Sequence, residues 1–230
     1  MNEGSINFDV VIIGGGAAGL TAGIYAARAR LKTVLLEKWV IGGLAATTDL
    51  IENYPGFSEG ISGQDLMEKM KAQAQRFGVE IIQSEAKTIK KCGKKFEVTT
   101  DKESYTTKTV IVAVGTVPKK LNISGEDELR GRGVSYCATC DGPLFRDKNI
   151  AVIGCGNSGL QEAQFLLKFV KHITLVEWLP YMTADQILQE RLKNDPRLQC
   201  MLNHKVVSIN GKERVRSITV QDRANNQENT

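Results

Sequence analysis

The same strand–turn–helix–strand pattern occurs twice in this chain, 140 residues apart. The first copy is DVVIIGGGAAGLTAGIYAARARLKTVLLEK and the second is NIAVIGCGNSGLQEAQFLLKFVKHITLVEW. In both, an apolar strand runs into a Gly-x-Gly-x-x-Gly turn and a helix, and a second apolar strand ends in an acid. The acids, Glu37 and Glu177, each lie 23 residues after the first glycine of their turn. One such turn is weak evidence, but two with identical spacing predict two Rossmann-like dinucleotide-binding domains in an α/β fold.

Each residue type in these turns has a physical role. The first glycine permits the tight turn, the second lets the backbone approach a pyrophosphate, and the third lets the helix pack closely on the strand. The helix N-terminus offers N–H groups and a partial positive charge to phosphates. The acid accepts hydrogen bonds from the adenosine ribose. In the second copy, these rules predict a nucleotide site that comprises Gly154, Gly156, Asn157, Ser158 and Glu177.

Two dinucleotide sites in one chain favour an electron-transfer enzyme. Flavin is the common stationary partner in such enzymes, and nicotinamide is the common mobile one. The chain has 230 residues, 42% of them hydrophobic and 24% charged, which is typical of a globular protein with a sizeable core. Its net charge of +4 is too small to predict nucleic-acid binding, although it suits an acidic protein partner.

The domain boundary is predicted in the stretch GTVPKKLNISGEDELRG, which is rich in glycine, proline and charge. The predicted domains are residues 1–117 and residues 118–230. A helix is expected after Ser62, which can cap it, up to Gly78, which ends it. The N-terminus MNEGSINFDVVIIGGG has no basic leader or apolar signal core, and no run reaches the roughly 18–20 apolar residues of a membrane span. The sequence therefore predicts a cytoplasmic protein without a membrane partner.

Two cysteines, Cys137 and Cys140, form a Cys-x-x-Cys motif in GVSYCATCDG. The motif alone fits a redox pair, half of a zinc site or two buried thiols. A closed zinc site needs four ligands, and His172 and His204 do not form a second ligand pair, so no metal site is predicted. The isolated cysteines are interpreted as small hydrophobic residues; they are Cys92, Cys155 and Cys200.

Over its whole length the chain resembles the low-molecular-weight thioredoxin reductases. The segments that carry the resemblance are the first glycine turn with Glu37, GGLAATTDLIENYPG, AVGTVP, GRGVSYCATCDG and VIGCGNSG. The Cys-x-x-Cys motif is the most specific of them, because this family carries it in the nucleotide domain. The resemblance implies an FAD-dependent disulfide reductase that acts on a thioredoxin-like protein and forms a homodimer.

The resemblance also implies roles for individual residues. Cys140 matches the flavin-side cysteine, Cys137 matches the cysteine that attacks the partner disulfide, and Asp141 matches the acid that handles the proton. Leu44 stands where the family commonly has glutamine. The positions that match FAD contacts, with Leu44 among them, are Gly14, Gly16, Ala17, Ala18, Glu37, Gly42, Gly43, Leu44, Asn53, Ala113 and Gly115.

Two departures from the family pattern bear on the electron donor and on the first domain. NADPH-using members have arginines after the second strand of the second unit, whereas this chain has EWLPYMT, from Glu177 to Thr183. Two like charges ~4 Å apart repel by about 4 kcal/mol at an effective dielectric near 20, so Glu177 disfavours NADPH and leaves NADH or a ferredoxin-type donor. The sequence ends in VQDRANNQENT without the usual C-terminal return segment of the FAD domain, so the second domain is expected to be truncated. We interpret the chain as a fragment, and the alternative is an FAD domain that is incomplete. A flavin-binding module without turnover is the alternative from another functional class.

Overall fold

The structure is a computed structural model that describes residues 6–230. Residues 1–5, part of the N-terminal stretch in which no leader pattern is found, lie outside this range. Contacts within the chain divide it into two compact units, the first ending at Val117 and the second beginning at Pro118.

The first unit is built on a six-stranded sheet in the order β3-β2-β1-β6-β5-β4. The strands β3, β2, β1 and β6 are parallel, and β5 and β4 continue the sheet antiparallel. Helices α1 and α2 share a buried apolar cluster with β1 and β2. The elements are β1 (Ile6–Ile13), α1 (Ala17–Arg28), β2 (Thr33–Glu37), α2 (Gly63–Arg76), β3 (Glu80–Gln83), β4 (Ala86–Cys92), β5 (Lys95–Thr100) and β6 (Ser104–Val112).

Helix α2 shows how local sequence determines an element of this unit. The Ser62 hydroxyl accepts a hydrogen bond from the Asp65 N–H at 3.0 Å, which satisfies one N–H of the first turn. Leu66, Met67 and Met70 recur at helical spacing and are all buried. The predicted helix after Ser62 is therefore confirmed.

The second unit contains two three-stranded sheets. The parallel sheet has the order β7-β8-β9, and the antiparallel sheet has the order β10-β11-β12. Residues of β7, α4, β8 and α5 form one buried apolar cluster. The elements are α3 (Ala138–Asp141), β7 (Asn149–Ile153), α4 (Asn157–Leu166), β8 (His172–Val176), α5 (Gln186–Leu192), β9 (Leu198–Met201), β10 (His204–Gly211), β11 (Val215–Asp222) and β12 (Glu228–Asn229).

Both units thus contain a parallel β-α-β crossover, as the two sequence repeats predict. The α/β fold with two Rossmann-like units is confirmed. None of the helices in the described part of the chain is long and apolar enough to cross a membrane. Within residues 6–230, no group of three or more His, Cys, Asp or Glu side chains is arranged to hold a metal ion.

Candidate active site

The first glycine turn connects β1 to α1 and meets the end of β2. The Gly14 N–H donates to the Leu36 carbonyl at 2.9 Å, and the Gly15 N–H donates to Glu37 Oε2 at 2.7 Å. Gly14 has φ +108°, and a Cβ on it would lie 2.2 Å from the Ala113 carbonyl oxygen at the end of β6. A side chain is therefore excluded at Gly14 by both backbone conformation and space.

The N-terminus of α1 is open to an anion. Gly16 is its N-cap and no side chain caps the helix, so Ala17 and Ala18 form a first turn of the kind that can donate N–H groups to a phosphate. The Gly42 N–H donates to the Gly15 carbonyl at 2.8 Å. A Cβ on Gly43 would lie 3.6 Å from the Gly16 Cα, so this second glycine pair also lies against the turn. The cradle fits a pyrophosphate with an adjacent ribose.

The remaining residues of the predicted flavin site lie on three other segments. Ala113 donates its N–H to the Ile13 carbonyl at 2.7 Å, beside the turn, and Gly115 follows it on the exposed chain after β6. Leu44 is 51% exposed, so its side chain is available for contact where the family has an amide. Asn53 lies on the loop Glu52–Ser58, which lines an open cavity of about 540 Å³.

The second glycine turn repeats the first, atom for atom, in its main hydrogen bonds. The Gly154 N–H donates to the Val176 carbonyl at 2.8 Å, and the Cys155 N–H donates to Glu177 Oε2 at 2.6 Å. Leu179 N–H donates to Glu177 Oε1 at 3.0 Å, as Trp39 N–H donates to the first acid at 2.9 Å. Both acids are thereby fixed at the carboxyl ends of the parallel strands, where dinucleotides bind in this class of fold.

Helix α4 begins at this second turn and is likewise uncapped by a side chain at Gly156. Asn157 makes a reciprocal pair with Asp185: its Nδ2 donates to Asp185 Oδ2 at 3.0 Å, and its Oδ1 accepts from the Asp185 N–H at 2.7 Å. Ser158 is exposed in the first helical turn. The sequence-based site did not include Asp185. Its place directly before the helix-period segment QILQERL is a typical N-cap signal that could have indicated it.

The Cys-x-x-Cys motif lies at the start of the short helix α3 and forms a disulfide. The Cys137 and Cys140 Cα atoms are 5.3 Å apart. Cys140 is exposed and Cys137 is half-buried. The Cys140 N–H points to Cys137 Sγ at 3.3 Å, and the Thr139 hydroxyl lies 3.4 Å from the same sulfur. A backbone N–H and a hydroxyl therefore lie within hydrogen-bonding distance of Cys137 Sγ.

Asp141 is held against this motif by a serine that the sequence reasoning missed. Ser135 Oγ donates to Asp141 Oδ2 at 2.5 Å and accepts from the Cys137 N–H at 3.1 Å. The Asp141 N–H in turn donates to the Cys137 carbonyl at 3.1 Å. The carboxylate and the disulfide therefore belong to one hydrogen-bonded loop.

A buried acid fixes the residue that precedes the motif. Glu126 is 4% exposed and accepts from the Tyr136 hydroxyl at 2.6 Å, from the Leu121 N–H at 2.9 Å and from the Asn122 N–H at 2.6 Å. Burial opposes the charge on Glu126, but these hydrogen bonds outweigh it and hold the pKa of the carboxyl below its ordinary value. Burial, helped by the hydrogen bond to Glu126, raises the pKa of Tyr136 to about 12.

Comparisons with known proteins agree on one family. The model of the pyridine nucleotide-disulphide oxidoreductase family matches residues 8–229. A bifunctional thioredoxin reductase/thioredoxin of Mycobacterium leprae is 42% identical over 96% of this chain and 49% of its own length. A thioredoxin reductase of Treponema pallidum is 40% identical over 94% of this chain and 70% of its own length. The chain thus spans about half of the first relative and over two thirds of the second.

Solved structures give the same result. The thioredoxin reductase of Lactococcus lactis (FR conformation) is 37% identical, with a TM-score of 0.94 over 96% of this chain and 73% of that chain. The thioredoxin reductase of T. acidophilum is also 37% identical, with a TM-score of 0.92 over 97% of this chain and 73% of that one. The predicted resemblance is confirmed: the chain belongs to the pyridine nucleotide-disulphide oxidoreductase family, among the low-molecular-weight thioredoxin reductases.

Proposed function

We propose that this chain carries the catalytic disulfide of an FAD-dependent thioredoxin-disulfide reductase. The observation that carries the proposal is the Cys137–Cys140 disulfide, with its donors at Cys137 Sγ, in a chain that also has two dinucleotide turns. The relatives that bear the name thioredoxin reductase support a thioredoxin-like protein as the substrate. The complete enzyme is expected to be a cytoplasmic homodimer.

The two units are assigned different nucleotides. The first unit, residues 1–117, is proposed to hold FAD in the cradle of Gly14, Gly16, Gly42 and Gly43, with Glu37 on the ribose. Ala17 and Ala18 offer N–H groups to the pyrophosphate, and Asn53, Ala113 and Gly115 extend the site. The second unit, residues 118–230, is assigned as the pyridine-nucleotide-like domain through Gly154, Gly156, Asn157, Ser158 and Glu177.

The reaction follows from thiol chemistry. A bound reduced flavin supplies the two electrons that, with two protons, convert the Cys137–Cys140 disulfide to thiols. The Cys137 thiolate then attacks one sulfur of the partner disulfide and forms a mixed disulfide, which displaces the other partner sulfur as a thiolate. Cys140 attacks Cys137 Sγ, so the second partner thiolate leaves and the Cys137–Cys140 bond is restored. Asp141 takes the protons that the Cys137 and Cys140 thiols lose before attack and returns them to the leaving partner thiolates, a role supported by its hydrogen-bonded place beside the pair.

The electron donor is proposed to be NADH rather than NADPH. Glu177 is buried and its carboxylate lies at the second glycine turn, where a 2′-phosphate would meet like charge. A ferredoxin-type donor is the second candidate, supported by the segment EWLPYMT, which has no arginine with which to bind a 2′-phosphate.

Substitution of either cysteine tests the proposal. Cys137→Ser and Cys140→Ser should each keep the bound flavin and lose thioredoxin reduction by at least about 100-fold, because the two-sulfur relay needs both thiols. Flavin absorbance measures retention, and a coupled insulin-reduction assay with thioredoxin measures turnover in an assembled full-length enzyme. Cys92→Ser, which changes an exposed thiol outside the motif, is the matched control and should keep full turnover.

Turnover near that of the unmodified enzyme in either motif variant would show that the pair does not carry the electrons. A purified full-length protein without flavin absorbance would instead contradict the FAD assignment, whatever the cysteines do.

A further inference from the structure

The side chain of Arg223 stacks on the ring of Trp178, the residue that follows Glu177. The Arg223 guanidinium lies 3.9 Å from the centroid of the Trp178 ring, across a separation of 45 residues. Arg223 Nη1 also donates to the Trp178 carbonyl at 2.9 Å. A guanidinium stacked on indole and bonded to the same residue's backbone restrains both the ring and its chain.

The turn between β9 and β10 also restrains the segment that contains Trp178. Asn203, at the turn between β9 and β10, donates its N–H to the Leu179 carbonyl at 2.8 Å. Its side-chain oxygen accepts from Arg223 Nη1 at 3.3 Å, and its carbonyl accepts from the Arg223 N–H at 3.0 Å. The segment from Glu177 to Leu179 is therefore held from two separate turns, in addition to its own contact with the glycine turn.

The position of the restrained ring is chemically informative. Trp178 is adjacent to Glu177, whose carboxylate contacts Cys155 N–H in the glycine turn. An acid in this place marks the ribose of a bound dinucleotide, and the adenine extends beyond the ribose, away from the pyrophosphate. Trp178 remains 52% exposed although Arg223 covers part of it. An exposed, immobilised indole next to the ribose position is suited to stack on a purine, since stacking loses little entropy when the ring is already fixed.

We infer that Trp178, held by Arg223, is an adenine-stacking platform for a dinucleotide with a free 2′-hydroxyl. The inference rests on the proposed function, in which the second unit is the nucleotide domain, and it adds which residues recognise the adenosine half. Arg223 acts as a positioning residue through Trp178. Its guanidinium is engaged with the ring, the Trp178 carbonyl and Asn203, whereas the carboxylate of Glu177 disfavours a 2′-phosphate.

Tryptophan fluorescence gives a test that does not depend on turnover. The chain has two tryptophans, Trp39 and Trp178, so Trp39→Phe leaves Trp178 as the single reporter. In that background, titration of the full chain with ADP-ribose should quench the fluorescence saturably, and 2′-phospho-ADP-ribose should bind at least about tenfold more weakly. Calorimetric titration with the same two probes reports binding independently of the indole.

Variants then separate stacking from a general effect on the fold. Trp178→Ala should weaken ADP-ribose binding by about tenfold, and Trp178→Phe should restore most of it because a phenyl ring also stacks. Arg223→Ala should weaken ADP-ribose binding by about threefold or more, because the Trp178 ring is no longer held in place. Arg216→Ala, at an exposed arginine of β11, is the matched control and should leave binding unchanged.

Any one of four results would overturn the inference. Calorimetric binding of ADP-ribose without a change in Trp178 fluorescence would leave the nucleotide domain in place but put the adenine elsewhere. Equal affinities in Arg223→Ala and Arg216→Ala would remove the positioning role of Arg223. Tighter binding of 2′-phospho-ADP-ribose, or no binding of either probe, would contradict the platform, while the disulfide-reductase proposal would still be judged separately by the cysteine variants.

Discussion

The two glycine turns have the same backbone hydrogen bonds but different neighbouring residues. In the first unit, β1 lies between β2 and β6, so the turn that follows β1 has a neighbouring chain on each side. In the second unit, β7 is the edge strand of a three-stranded sheet within the described residues. A Cβ on Gly14 would meet the Ala113 carbonyl at 2.2 Å, whereas a Cβ on Gly154 would meet no atom within 4 Å.

A turn can require glycine for its backbone conformation or for lack of space beside its Cα. Gly14 has φ +108° and Gly154 has φ +103°, so both adopt a conformation that L-residues avoid. Within the described residues, close packing against the Ala113 carbonyl adds a second constraint at Gly14.

The residues that follow the acids differ as well. Glu37 is half-buried, and Lys38 Nζ lies 4.3 Å from the ring centroid of its chain neighbour Trp39. Glu177 is 8% exposed, and Trp178 is stacked by the distant Arg223. The first acid is thus partly exposed beside a neighbour in sequence, and the second acid is buried beside a residue that makes a long-range contact.

The largest effect is expected when each acid is removed in turn. Glu37→Ala should release FAD from the complete enzyme, because two charge-assisted hydrogen bonds to the ribose, each worth roughly 1.5–3 kcal/mol, are lost. Glu177→Ala should keep the flavin and weaken only nucleotide binding to the second unit. Flavin absorbance after dilution and gel filtration distinguishes the two. Flavin loss from Glu177→Ala, or full retention in Glu37→Ala, would reverse the assignment of the units.

A smaller difference is expected between the first glycines. Gly14→Ala should destabilise the protein by about 3–5 kcal/mol, since backbone strain adds to a collision with the Ala113 carbonyl. In the chain of residues 1–230, Gly154→Ala should cost the strain of its positive φ, about 1–2 kcal/mol. Thermal unfolding of both variants under identical conditions measures the difference. Equal losses of stability would mean that the strand beside Gly14 yields to the methyl group at no cost.

Features that depend on short-range pattern could be predicted from the sequence. The two glycine turns, their acids and helix α2 with its Ser62 cap are all determined by residues within one β-α-β unit or one helical turn. Steric and hydrogen-bonding rules act at these short separations, so spacing alone indicates them.

Contacts between segments that are far apart in the sequence could not be predicted from the sequence. Arg223 meets Trp178 across 45 residues, and nothing in the spacing of the two residues indicates that contact. Ser135 and Glu126 had the appearance of ordinary polar residues in a loop, yet each holds the redox motif through side-chain hydrogen bonds. The pairing of β1 with both β2 and β6, which brings Ala113 against Gly14, likewise depends on strands that are far apart in the sequence.

The smallest expected effect concerns the middle residue of the turn, where Cys155 takes the place of Gly15. The Cys155 side chain is fully buried, and burial raises the pKa of its thiol to about 12 from an ordinary 9.0. Iodoacetamide at pH 8 should therefore modify the exposed Cys92 and Cys200 in the native protein and spare Cys155, as peptide mass spectrometry would report.

The raised pKa of Cys155 also makes the stability of the folded protein depend on pH. The folded state keeps the Cys155 proton above pH 9.0 while the unfolded state loses it, so this contribution is fully present below pH 9.0 and is lost as pH rises towards about 12. Cys155→Ala should cost about 1 kcal/mol at pH 7. At pH 10.5 the substitution should no longer destabilise the protein, because ionisation of the thiol in the unfolded state lowers the stability of the unmodified protein by about 2 kcal/mol and alanine does not titrate. Chemical unfolding at the two pH values measures this change. Native-state alkylation of Cys155 at the rate of Cys200 would show that the second turn opens to solvent, and the buried position assigned to Glu177 would then be wrong.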